Sequence, residues 1–234
     1  IKNTITSKKI KMLDGFAGTG IVGTHFNQKY GIRIISNDLE DYSTLINKAT
    51  LNCSYSKKIE KIIDEINIKL KKIKYDDLPK NYRKITENYS PKSTENRMFW
   101  TEENAIGADY TFYYLNKLLE KNKINQDEYN FLKASLVCSM DKLANTTSVY
   151  GAFLKKFKST ACKKLEIKPI HTNKIDTENE VLCGDINRPE IYNKELDIAY
   201  LDPPYNNRQY GANYSPLNFM ARYEDDVEIY NKTG

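Results

Sequence analysis

The stretch KIKMLDGFAGTGIVGTHFNQKYGIRIISNDLE, residues 9–40, decides the fold. Its first five residues, KIKML, read as a short strand. The turn DGFAGTG follows at once, with Gly15, Gly18 and Gly20. IVGTHFNQKY then has the apolar spacing of a short helix, and Gly31 ends it. IRIIS, residues 32–36, is β-branched and short, as a buried strand is, and NDLE closes it. Strand, glycine turn, helix, strand is a βαβ unit, which implies parallel pairing and a right-handed crossover.

Outward from this unit, residues 41–52 suit the next helix. KKIEKIIDEINIKLKKIKYDD, residues 57–77, is an amphipathic, charge-laced helix pattern with a solvated face. Residues 78–100 hold Pro79, Pro91 and many turn formers, and read mostly as loop. Ile106, Tyr110, Tyr113, Tyr114 and Leu118 recur at helical spacing. A further helix starts near Asn125, which can cap it with Glu128 in a capping box; its stripe of Leu132, Leu136, Met140 and Leu143 reads as core. Strand signals return at EVLCGD (180–185) and LDIAYL (196–201). The expected organisation is a catalytic α/β unit from residues 1–55 and 175–234, with a mostly helical lobe, residues 56–174, inserted in it.

Composition narrows the function classes. Lys and Arg number 36 against 31 Asp and Glu, a net charge of +5. That excess suits a nucleic-acid partner, but a Lys-, Ile- and Asn-rich composition from an AT-rich genome produces it too. No apolar run approaches the ~18 residues of a membrane span, and the first residues lack a signal peptide's apolar core. A soluble, cytoplasmic protein is expected. Cys53, Cys138, Cys162 and Cys183 are scattered without a C-x-x-C pair, so neither zinc nor a disulfide framework is expected. His25 and His171 stand alone, which gives a His-based metal site or triad little to work with.

The glycine turn offers backbone N–H groups and the positive end of a helix dipole to a polar or anionic ligand. A P-loop would need Gly-Lys-Ser/Thr where Gly20 is followed by Ile21 and Val22, so NTP hydrolysis is disfavoured. Asp38, closing the second strand, is placed to accept hydrogen bonds from ribose hydroxyls, of a dinucleotide or of any adenosine-bearing cofactor.

The second informative stretch is LDPPYNNRQY, residues 201–210. Two prolines fix φ and lack N–H groups, so the chain forms a stiff corner beyond a strand end. Asp202 and the Pro203 carbonyl become two fixed acceptors. About 3 Å from one nitrogen, they fit an amino group that donates two hydrogen bonds. Tyr205 adds an aromatic face for a planar ring, a contact worth about 1–3 kcal/mol per base. Such a clamp draws the amine toward a tetrahedral shape and exposes its lone pair, which is stabilisation by preorganised acceptors.

Together, DGFAGTG and the later LDPPYNNRQYGANY resemble the adenine-specific DNA methyltransferases of the Dam-related restriction–modification class. The middle sequence, FWTEENAIGADYTFYYLNKLL and LANTTSVYGAFLKKFK, is similar to that class as well. The resemblance implies a Rossmann-like fold that uses S-adenosylmethionine and flips its target adenine out of double-stranded DNA. It places Phe16, Gly18 and Gly20 at the cofactor turn, Asp14 at the acidic position ahead of it, Asp38 at the ribose and Asp185 near the cofactor's adenine. Asp202, Pro203, Pro204 and Tyr205 match the catalytic tetrapeptide. A cognate restriction endonuclease is the implied partner, and no membrane or metal is. The family also carries a lysine-bearing helix upstream of its glycine turn and strands after the catalytic loop, so the α/β unit is expected to be incomplete at both ends.

Between the two motifs the resemblance puts target recognition. In residues 154–168, Lys155, Lys156, Lys158, Lys163, Lys164 and Lys168 face only Glu166, a composition that suits phosphates or an ordinary solvated face. Asn96, Arg97 and Trp100 are further candidate DNA contacts. Arg208, Tyr210 and Asn213 follow the corner and are candidates for the mouth through which a flipped base enters. Two other readings stay open: an RNA-base or glutamine-amide methyltransferase, and a non-catalytic DNA-specificity module.

Overall fold

A computed structural model describes residues 10–170, 178–192, 194–205 and 210–225. The chain divides into two compact units, Ile1–Ser54 with Thr172–Asn207, and Tyr55–His171 with Arg208–Gly234.

The first unit is an α/β layer. Its strands are β1 (Lys11–Asp14), β2 (Arg33–Asp38), β3 (Glu180–Cys183) and β4 (Ile198–Tyr200), all parallel and ordered β3-β2-β1-β4. Helix α1 (Ile21–Tyr30) connects β1 to β2, and α2 (Asp41–Asn52) follows β2. Strand residues alternate between the two faces. Met12 and Ile34 pack with Leu51 of α2 and with Val22 and Phe26 of α1. Leu13 and Ile35 pack on the other side with Ile191 of the short α7 (Pro189–Tyr192). The chain builds outward from β1 through β2 to β3, then returns to β1's other side as β4. The reversal falls between β1 and β4, and in open parallel sheets ligands bind beyond the carboxyl ends of the strands at such a point. β4 is exposed along its length, with Ile198 41% and Tyr200 38% accessible.

The second unit is helical. It contains α3 (Lys57–Leu70), α4 (Lys84–Tyr89), α5 (Glu102–Glu120), α6 (Gln126–Asp141), α8 (Tyr210–Asn213) and α9 (Ser215–Ala221). Asn125 and Glu128 form the expected capping box at the start of α6. Helix α3 ends at Leu70, shorter than the sequence pattern suggests, and α4 occupies part of the expected loop. Trp100, Tyr89, Phe99 and Tyr150 form an aromatic core with Phe219 of α9 at ring separations of 5.2–6.3 Å.

The sequence reading groups residues 175–234 with the catalytic unit; the structure packs the described residues 210–225 into the helical one. Tyr223 stacks on Phe112 at 3.9 Å, and its hydroxyl donates to Asp109 (2.7 Å). Glu224 accepts from Lys133 and Tyr129. No helix among the described residues is long and apolar enough to cross a membrane.

Candidate active site

Three turns leave the carboxyl ends of the strands and meet above the sheet. β1 ends at Asp14, and residues 15–20 carry the chain into α1. Gly15 donates its N–H to the carbonyl of Tyr200, the last residue of β4, at 3.0 Å. Asp202 stands two residues further on. The glycine turn and the Asp-Pro-Pro-Tyr corner, distant in sequence, therefore leave the same sheet edge side by side.

Buried amides hold the turn from beneath. Asn37 of β2, 1% exposed, donates from Nδ2 to the carbonyls of Gly15 (3.2 Å) and Gly184 (3.0 Å), so one side chain spans the turns after β1 and β3. Asn47 of α2 donates to the Gly18 carbonyl (2.9 Å), and its Oδ1 accepts from Ser36 Oγ (2.8 Å). Asp38 accepts from the Gly18 N–H on one oxygen (2.7 Å) and from the Glu40 N–H on the other (2.9 Å). A carboxylate has about four acceptor sites, so Asp38 keeps capacity for a ligand.

Gly18 and Gly20 have φ of +53° and +75°, the left-handed region where a side chain is strained. A Cβ on Gly18 would meet nothing within 4 Å, which leaves open space against the turn. Asn37 Oδ1 is buried and has no partner among the described residues. Open space at Gly18, whose N–H is held by an Asp38 carboxylate with acceptor capacity to spare, fits a nucleoside-type cofactor carrying its own donors.

The charge pattern is negative. Asp14 is 1% exposed and accepts from the Gly23 N–H (3.0 Å). Burial pushes its pKa up against that bond, and the nearby charges of Asp38 and Asp202 push it further. Asp14 thus lies within electrostatic reach of the acids that close β2 and follow β4.

Of the residues selected from sequence, Asp14 is a buried brace joining β1 to the first turn of α1, while Phe16 is half-buried in the turn. Asp185 is exposed beyond β3, its Oδ1 accepting from the N–H and Nδ2 of Asn187 at 2.9 Å each. Asp202, Pro203, Pro204 and Tyr205 are all exposed, Tyr205 at 91%. Lys155 and Lys156 are exposed; Lys158 directs its ammonium to the Thr146 carbonyl (2.7 Å) and braces a loop. Two candidate DNA contacts are corrected. Arg97 is buried and donates to the Asn88 carbonyl, and Trp100 is fully buried with Nε1 on the Met140 carbonyl (2.8 Å). Arg208, and the side chain of Tyr210 at the start of α8, lie outside the described residues, as does His171. Sequence reasoning missed Asn37 and Asn47. The signal available was a Ser-Asn pair closing an otherwise β-branched buried strand.

Residues 1–233 match the family model of the D12 class N6 adenine-specific DNA methyltransferases. Type II methyltransferase M.CviAII of Paramecium bursaria Chlorella virus 1 is 42% identical over 212 residues, which cover 89% of this chain and 60% of that protein. Type II methyltransferase M.NlaIII of Neisseria lactamica is 38% identical, over 94% of this chain and 63% of its own length. Type II methyltransferase M.FokI of Planomicrobium okeanokoites is 35% identical, with 95% and 34% covered. The chain thus spans about 60% of the length of the first two relatives. No solved structure matches it. With a family model covering nearly its whole length and both motifs on one sheet edge, the chain belongs to the D12 class of N6 adenine-specific DNA methyltransferases.

Proposed function

We propose that this chain transfers a methyl group to the exocyclic N6 amine of an adenine flipped out of duplex DNA, with S-adenosylmethionine as cofactor. When bound, that cofactor supplies a methyl group made electrophilic by its sulfonium. Gly18, Gly20 and Phe16 line the cradle, Asp38 and Asp185 accept from the nucleoside, and Asn37 Oδ1 is a further acceptor. The carboxylates of Asp38 and Asp202, at the ends of β2 and just beyond β4, suit a cationic ligand.

At the amine, the Asp202 carboxylate and the Pro203 carbonyl accept the two N–H bonds and orient the lone pair. The exposed ring of Tyr205 stacks on the extruded base. Lys155, Lys156, Arg208 and Tyr210 are the proposed contacts to DNA. The names of the relatives, type II methyltransferases, support a role as the modification arm of a restriction–modification system, with a cognate endonuclease as partner.

One observation carries the reading: the 3.0 Å bond from Gly15 to Tyr200 that sets the two motifs against each other. Tritiated cofactor with mixed-sequence duplexes tests it. Label on adenine N6 is the expected result; label elsewhere, or none with the intact protein, overturns it.

A further inference from the structure

The basic run of residues 154–168 divides in the structure. Lys158 turns inward to a carbonyl, while the later lysines line a half-open cavity of about 300 Å³ at the C-terminal end of α6. Lys142, Thr160, Lys163, Lys164 and Lys168 line it, and Glu166 is its only acid.

The wall formed by residues 160–168 has neither helix nor strand, yet side chains from the helices fix its backbone. Asn104 donates to the Lys163 carbonyl (2.9 Å) and accepts from the Leu165 N–H (2.8 Å). Asn67 accepts from the Ile167 N–H (2.8 Å) and donates to its carbonyl (3.0 Å). Ser139 Oγ accepts from the Lys168 N–H (3.1 Å). The lysines are therefore hung on a preorganised frame rather than on a loose loop.

Their charge is only partly matched. Lys164 pairs with Glu103 (2.9 Å) and Lys168 with Glu166 (3.7 Å), both exposed pairs of the kind that contribute little and exchange readily. Lys142 and Lys163 form no ion pair among the described residues. No aromatic side chain lines the cavity, so nothing there would stack on a base; ammonium groups and a hydroxyl suit a tetrahedral oxyanion. We propose that this cavity binds a phosphodiester of the DNA backbone and so positions the duplex without reading its sequence. This rests on the DNA methyltransferase reading.

The test is equilibrium binding of the intact protein to duplexes with and without methylatable sites, over a range of salt. Lys142→Gln/Lys163→Gln should lower the slope of log K against log salt by about 1–2, equally on every duplex, and raise KM for DNA with kcat unchanged. Glu166→Gln should tighten binding, a gain that misfolding cannot imitate. Lys121→Gln/Lys123→Gln, before α6 and so at its opposite end, should leave the slope alone. An unchanged slope in the first variant, or an equal loss in the last, overturns the proposal. So does competition by inorganic phosphate at matched ionic strength with no change in the duplex slope, which would assign the cavity to a free anion. Duplex binding with the altered slope but no adenine methylation would sink the enzymatic reading and leave the phosphate site standing.

Discussion

Gly18 and Gly20 share a left-handed backbone but not a neighbourhood, and the difference is measurable. Gly18→Ala places a methyl in open space, so it should cost only the left-handed strain of about 1–2 kcal/mol in stability. That methyl occupies the proposed cofactor cradle, so the loss of cofactor binding by calorimetry should exceed the loss of stability by denaturant titration. Gly20→Ala adds a Cβ 2.2 Å from Asn47 Oδ1 and should destabilise the fold further. The reverse ranking in stability would contradict the geometry. At the corner, Asp202→Ala removes one of the two proposed acceptors; single-turnover methyl transfer should fall by at least about 10²–10³, with cofactor affinity largely kept. The left-handed turn at Gly18 and Gly20 was legible because its backbone demand is local. Asn37 was not, since its two acceptors lie 22 and 147 positions away.

Among the elements, α4 shows where local signals fail. Pro79, Pro91 and polar turn formers mark residues 78–100 as loop, yet Lys84–Tyr89 is helical. The cause is Asp109 of α5, fully buried, which accepts the N–H groups of Ile85 (2.9 Å) and Thr86 (2.8 Å), the Thr86 hydroxyl (2.7 Å) and the Tyr223 hydroxyl (2.7 Å). One carboxylate satisfies the first turn of α4 and ties the tail beyond α9 to α5. Asp109→Ala would leave two backbone donors buried without partners and should cost at least about 2 kcal/mol, read from urea unfolding. Burial raises the Asp109 pKa to about 7, against the pull of those four bonds. The stability this shift contributes is full below the ordinary carboxylate range, where folded and unfolded chains are both protonated. It declines as pH rises to about 7, because the unfolded chain releases its proton first. The unfolding midpoint should therefore drop across that window in the native protein, and Asp109→Ala should flatten the drop. By contrast, α2 and the start of α6 match expectation, the second because Asn125 and Glu128 cap it with groups three residues apart.

At the scale of the molecule, the order β3-β2-β1-β4 gathers the turns after β1, β3 and β4 at one edge. Hydrogen exchange with S-adenosylhomocysteine should show added protection at residues 15–23, 38–40 and 184–187 together, since one ligand would bridge them. Protection confined to a single turn would refute a shared pocket. By itself the sequence determined the parallel α/β class, the glycine turn and the acidic corner, because each is written in contiguous residues whose backbone preferences are local. Tertiary structure alone decided that the two motifs leave adjacent strand ends bonded through Gly15 and Tyr200, that Arg97 and Trp100 are core, and that the segment carrying Tyr223 joins the helical unit. Those outcomes depend on which distant groups a buried donor or ring meets once water is excluded, and no local pattern encodes that.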